Sequence, residues 1–151
     1  MEQVLSLKYE HFDSLELLPA EDRELLGKAQ QASQRAHAPY SSFHVGAAAR
    51  LSSGKILSAA NCESEVFPSG MCAERSLLYF LQTNHPYDAI VAIAIASSPD
   101  EHECYPCGGC RQALLDAQRR QQSPIRIIMG SGTSASVVDS AEILLPFSFR
   151  L

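Results

Sequence analysis

The run Ala89-Ile90-Val91-Ala92-Ile93-Ala94-Ile95-Ala96 constrains the fold more than any other stretch of this chain. Eight consecutive apolar residues, rich in β-branched side chains, suit a strand covered on both faces. They are too few to span a bilayer. A second such run, Ile125–Met129, follows after a stretch of helical character. A strand buried on both sides needs layers above and below it. Strand–helix–strand crossovers supply them and favour parallel neighbours in one sheet. Around these two strands the other elements fall into place. A helix runs from about Pro19 and ends before Pro39, where the residue preceding proline is pushed out of helical space. Strands cover Val45–Leu51 and Lys55–Ala60, joined at Ser52-Ser53-Gly54 as an antiparallel hairpin. Helices cover Met71 to about Thr83 and Cys107 to about Gln118. A short strand at Ser136–Val138 and a short helix at Ser140–Leu144 close the pattern, and the first eighteen residues carry only weak signals. The expected fold class is α/β. It is a three-layer α/β/α sandwich around a mixed sheet of about five strands, formed by residues 1–151 as a single domain.

The chain has 151 residues, is 46% hydrophobic and carries a formal net charge of -5. Acidity without a basic stripe argues against a nucleic-acid partner, because phosphate backbones demand clustered Lys and Arg. No apolar leader precedes the fold, so no membrane partner is expected and the expected compartment is the cytoplasm. Five cysteines in a chain read as cytoplasmic point to metal binding or catalysis rather than to a disulfide framework.

Three of these cysteines lie at expected helix starts: Cys72 at one, Cys107 and Cys110 at the next. Helix N-termini offer free N–H groups and a positive dipole end, which stabilise the thiolates that zinc requires. Gly108 and Gly109 remove bulk between the two later sulfurs and would let the backbone approach them. Three thiolates leave one tetrahedral position open, which a catalytic zinc fills with water. Glu74 follows Cys72 by two residues. On a helix the two would point nearly opposite ways, so they share a site only if it lies off the helix end. Cys104 stands three before Cys107 and rivals Cys110 by spacing, but Pro106 breaks any helix joining them, so Cys104 stays outside the ligand set. Cys62 reads as a packed thiol. None of the five histidines is expected to bind zinc. By their own types, Arg75 reads as a surface helix residue, Asn61 and Glu63 as turn and edge residues, and Phe43 and Phe149 as packing.

The pattern Cys72-Ala73-Glu74 followed by Pro106-Cys107-Gly108-Gly109-Cys110 resembles the signature of zinc-dependent base deaminases. Asn61-Cys62-Glu63, Tyr40-Ser41-Ser42-Phe43-His44-Val45-Gly46-Ala47-Ala48, Arg111-Gln112 and Leu144-Leu145-Pro146-Phe147-Ser148-Phe149 occur in matching order. From about Ala29 onward the chain resembles the small homotetrameric zinc-dependent cytidine deaminases. That resemblance implies hydrolysis of the 4-amino group of a cytosine nucleoside, in pyrimidine salvage. It implies a Zn²⁺ cofactor on Cys72, Cys107 and Cys110, with Glu74 as the catalytic proton carrier. It implies that Arg75 donates to the ligand sulfurs, that Asn61 and Glu63 hold the ribose, and that Phe43 and the backbone of Ala73 meet the base. Phe149 would reach a neighbouring subunit's site, within a homotetramer whose active sites are shared between subunits. Tyr40 and Gln112 resemble structural or interface positions.

The resemblance has departures. Ser64-Glu65-Val66-Phe67 stands where the family usually has Asn-Ala and, two positions on, Tyr; Glu65 adds charge and Phe67 lacks a phenolic oxygen. Tyr105 stands where Ser often precedes Pro-Cys. Two alternatives therefore stand beside cytidine: an antibiotic cytosine nucleoside of the blasticidin type, favoured by the charge of Glu65, and a non-catalytic zinc module closed by a fourth protein ligand.

Overall fold

The computed structural model describes residues 1–151. Its strands are β1 (Glu10–Phe12), β2 (His44–Leu51), β3 (Ile56–Ala60), β4 (Ile90–Ser98), β5 (Arg126–Gly130) and β6 (Ala135–Val138). Its α-helices are α1 (Ala20–Ser33), α2 (Ala73–Asn84) and α3 (Gly108–Gln121). Single 3₁₀ turns occur at Leu15–Leu17, Phe67–Ser69 and Ala141–Leu144, the last with Ser140 accepting from Glu142 N–H at its start.

All six strands form one sheet in the order β1-β6-β5-β4-β2-β3. The sixth strand is β1, which lies in the weakly patterned N-terminal stretch and pairs antiparallel with β6. Only β4 and β5 are parallel, joined through α3 as the crossover rule requires. The other crossover, β3–α2–β4, also returns the chain in the same direction. Its two strands are not neighbours, because β2 lies between them and pairs antiparallel with both.

The two faces of the sheet are built differently. Ala48, Ala94, Ile128 and Val137 occupy facing register positions and pack under α1 with Leu25, Leu26 and Ala29. Ala47, Ile95 and Met129 face the other way, toward α2 and α3, with Leu77, Leu78, Leu114 and Leu115. Fully buried leucines of this kind contribute about 2–5 kcal/mol each relative to alanine. The alanines on the first face let α1 approach closely. At Gly46 the approach is closer still: a Cβ there would lie 1.9 Å from the carbonyl oxygen of Ala29. Backbone cannot yield to such a contact, so this position excludes every side chain.

Helix α1 stops at Ser33, earlier than Pro39 alone would require. The cause is tertiary. His37 N–H donates to Asn61 O, and Glu63 N–H donates to His37 O, drawing the chain off the helix axis into a bridge beside Cys62. That bridge lies at the sheet end where α2 and α3 begin.

Candidate active site

Cys72 and Cys107 are the N-cap residues of α2 and α3, with extended backbones, and Cys110 sits in the first turn of α3. Their three sulfurs all lie within 4.8 Å of one another, and no other set of three His, Cys, Asp or Glu ligands gathers in this way. Cys72 Sγ and Cys107 Sγ are 4.0 Å apart. A tetrahedral zinc with Zn–S bonds near 2.3 Å implies sulfur separations of about 3.8 Å. The Cys72–Cys107 separation is close to that value and the third sulfur lies within 4.8 Å of both, so the trio suits such an ion. Cys104 is buried away from the cluster, where burial and the charge of Glu74 push its thiol up to about 11.

Cys72 is not itself helical, so the helical angle between it and Glu74 does not apply. Its cap conformation turns the sulfur toward α3, while Glu74, in the first turn of α2, is only 4% exposed. Burial, opposed by its own backbone N–H and reinforced by the charge of Cys72, raises the Glu74 carboxyl above the ordinary carboxylate range. Cys72 moves the other way, to about 5, through donation from Cys110 and from Arg75 against the cost of burial. Arg75 Nη2 lies 3.5 Å from Cys72 Sγ, and its Nε is buried with no hydrogen-bond partner. A guanidinium against the Cys72 sulfur favours that sulfur's charged form, which accounts for its place. The glycines act differently from the sequence reading: a Cβ at Gly108 would meet nothing, and one at Gly109 would make only ordinary contacts, 3.9 Å from Arg75 Cζ. Space beside the sulfurs does not demand either glycine.

A cleft of about 360 Å³ opens beside Cys72 and Arg75, lined also by Tyr40, Asn61, Glu63 and Phe67. Asn61 Oδ1 accepts from Val45 N–H at 2.7 Å, and its Nδ2 donates to Phe43 O at 2.9 Å. Glu63 Oε1 accepts from the N–H groups of Tyr40 and Ser41, at 3.0 and 3.1 Å. Bonding by Ser41, partly offset by desolvation, holds the Glu63 carboxyl below its usual value. Both residues thus shape the loop over the cleft, Glu63 through its Oε1. Phe43 is half-exposed and does not line the cleft, Ala73 is fully buried next to Cys72 in the chain, and Phe67 stacks edge-on against Tyr40 at 5.8 Å. Phe149 is 74% exposed and lies away from this cleft, on a tail held by Arg119 through Ser148 Oγ and Phe149 O. Glu65 is exposed and does not line the cleft. Gln112 bonds within its own helix, to Asp116.

One residue that the sequence reading left without a task is Arg111. Its Nε donates to Pro106 O at 2.8 Å and its Nη1 to Leu144 O at 3.2 Å. It therefore fixes the peptide that leads into Cys107. Its position directly after Cys110 was the available signal.

Residues 19–123 match the family model described as the cytidine and deoxycytidylate deaminase zinc-binding region. The cytidine deaminase of Halalkalibacterium halodurans is 38% identical over 96 residues, 63% of this chain and 71% of that protein. A probable cytidine deaminase of Dictyostelium discoideum is 39% identical over 84 residues, a match that spans 56% of each chain. Among solved structures, the cytidine deaminase of Burkholderia pseudomallei superposes with a TM-score of 0.73 at 30% identity, covering 87% of this chain and 100% of that one. That of Mycobacterium tuberculosis gives 0.69 at 28% identity, covering 88% and 100%. Sequence, fold and zinc-fitting sulfur cluster agree: this chain belongs to the zinc-dependent cytidine and deoxycytidylate deaminase family.

Proposed function

We propose that this chain hydrolyses cytidine and deoxycytidine to uridine and deoxyuridine with release of ammonia, returning cytosine nucleosides to the uracil pool. The observation that carries the reading is the buried Glu74 beside the three-sulfur cluster, with a cleft opening on Cys72 and Arg75. Cys72, Cys107 and Cys110 would hold zinc, which when bound lowers the pKa of water enough to supply hydroxide near neutral pH. A fourth protein ligand is not at hand, which favours a catalytic over a closed structural site. Glu74 takes one proton of the attacking water and delivers it to ring N3; it then passes the proton of the new C4 hydroxyl to the amine, which leaves as ammonia while the C4 carbonyl forms. Its raised pKa suits a group that both accepts and returns a proton. Arg75 steadies the Cys72 thiolate. Glu63, which lines the cleft, offers its carboxylate to a sugar hydroxyl, and Asn61 holds the loop that positions it. Phe43 and the backbone of Ala73 would meet the base, as the family resemblance implies.

The test is a zinc-loaded sample given cytidine, deoxycytidine and blasticidin S side by side, read by ammonia release and loss of cytosine absorbance. Turnover of cytidine or deoxycytidine, faster than of the antibiotic, is expected. The charge of Glu65 lends the antibiotic little support, because that residue stands outside the cleft lining. Inactivity on both nucleosides would overturn the substrate assignment.

Exposed aromatic rings support a second part of the proposal, that four copies assemble and share their sites. Phe67 and Phe149 are 75% and 74% exposed, and Phe147 holds a left-handed backbone (φ 54°) with its ring in solvent. Rings left bare in this way are available to a contact between copies of the chain. Light scattering should return the mass of four chains, and a monomer would exclude the shared site. No helix is long and apolar enough to cross a membrane.

A further inference from the structure

Strand β1 lies before the residues 19–123 that match the family model, yet it reaches the loop that carries Cys107. His11, in the middle of β1, has Nδ1 at 3.0 Å from Ser136 Oγ and at 3.4 Å from Glu103 Oε1. Its Nε2 lies 3.1 Å from Asp13 Oδ1. The Glu103 side chain is only 6% exposed. A carboxylate so placed is costly unless its oxygens are occupied. They are: Ser134 Oγ donates to Oε1 at 2.8 Å, and Tyr105 OH donates to Oε2 at 2.9 Å. Tyr105 immediately precedes Pro106-Cys107. Glu103 thus ties together three segments distant in sequence: β1, the β5–β6 turn and the approach to the zinc ligand.

This matters because Cys107 is the exposed member of the sulfur trio. Its loop is fixed from one side by Arg111, which holds Pro106 O. Cys104 N–H also donates to Gly130 O, anchoring the loop to the end of β5. The side of the loop facing β1 is fixed by Glu103 and Tyr105. A ligand sulfur held in place returns to the metal after each transient opening; a loose one lets the metal escape. Partners one step removed from the metal ligands commonly change metal affinity by about 10–100-fold.

We propose that β1 braces the zinc loop through His11, Glu103 and Tyr105, with Glu103 and Tyr105 as positioning residues for Cys107. The brace slows zinc release. This rests on reading Cys72, Cys107 and Cys110 as the zinc site.

The test follows zinc leaving the loaded full-length chain into excess chromogenic chelator. Glu103→Ala should release zinc about 10–100-fold faster than the unaltered chain. Tyr105→Phe removes a single hydroxyl from a half-exposed ring and should accelerate release by about 10-fold, at the lower end of such effects. It carries the test by itself if Glu103→Ala fails to fold. His11→Ala should reproduce the Tyr105→Phe effect. In the cobalt-loaded protein, the thiolate-to-metal absorption should shift in the same variants. Asp88→Ala loosens the hairpin at the opposite end of the sheet, where Asp88 holds Ser52 and Ser53, and should leave zinc release unchanged. Unaltered release in Tyr105→Phe overturns the brace. Faster release in Tyr105→Phe with unaltered release in His11→Ala overturns the part assigned to β1. An unaltered chain that holds no zinc overturns the metal reading instead.

Discussion

Glu74→Gln is expected to retain one zinc per chain and to lose cytidine turnover by about 10⁴-fold, the upper range for removal of a general acid–base group. The size of the loss follows from the number of proton movements that one carboxyl performs. In the proposed reaction it accepts a proton from water, protonates the ring and serves the leaving amine. An amide has nearly the same shape and can do none of these. Glu74 is 4% exposed, so bulk water cannot take over its part. Metal analysis beside the rate measurement separates the outcomes. Lost zinc would mean that Glu74 supports the sulfur cluster; retained zinc with full activity would remove Glu74 from the chemistry.

Cys110→Ala is expected to abolish zinc retention and all turnover together. Cys110 is fully buried, and the two remaining sulfurs, 4.0 Å apart, offer half of a tetrahedron. A ligand that binds only the folded state also stabilises it. The unaltered protein should therefore melt at a lower temperature after chelation, and the Cys110→Ala protein should show no such response. Cys62→Ser should keep its metal, because Cys62 is exposed and makes only a long contact, 3.8 Å, to Glu63 O. A Cys110→Ala protein that holds zinc tightly would require a different ligand set.

Much of this site is legible in the residue order. The apolar runs at Ile90 and Ile125 announce a parallel pair with a crossover helix, and cysteines at helix starts announce where their sulfurs meet. Other features are settled by tertiary pairing and leave no local trace. Glu10-His11-Phe12 is too short and too polar to declare itself a strand, and it becomes one only because β6 offers a partner edge. The insertion of β2 between β3 and β4 cannot be read from a crossover rule that assigns direction but not adjacency. Neither can the end of α1 at Ser33, which the bridge from His37 to Cys62 imposes. At the site, residue type alone does not reveal that Asn61 commits both polar ends of its amide to Val45 and Phe43. Nor does it reveal that Cys72 is a cap rather than a helical residue.

The alanine-lined face of the sheet has a consequence for how this protein can change. Under α1, Ala48, Ala92, Ala94 and Ala96 are buried at or below 3% exposure, and Gly46 admits nothing larger. Side chains there can grow only by lifting the helix, and can shrink only to glycine. Sequence drift is thus closed in both directions on that side. Volume-conserving exchanges have more room across the sheet, where leucines and isoleucines can exchange shape for shape.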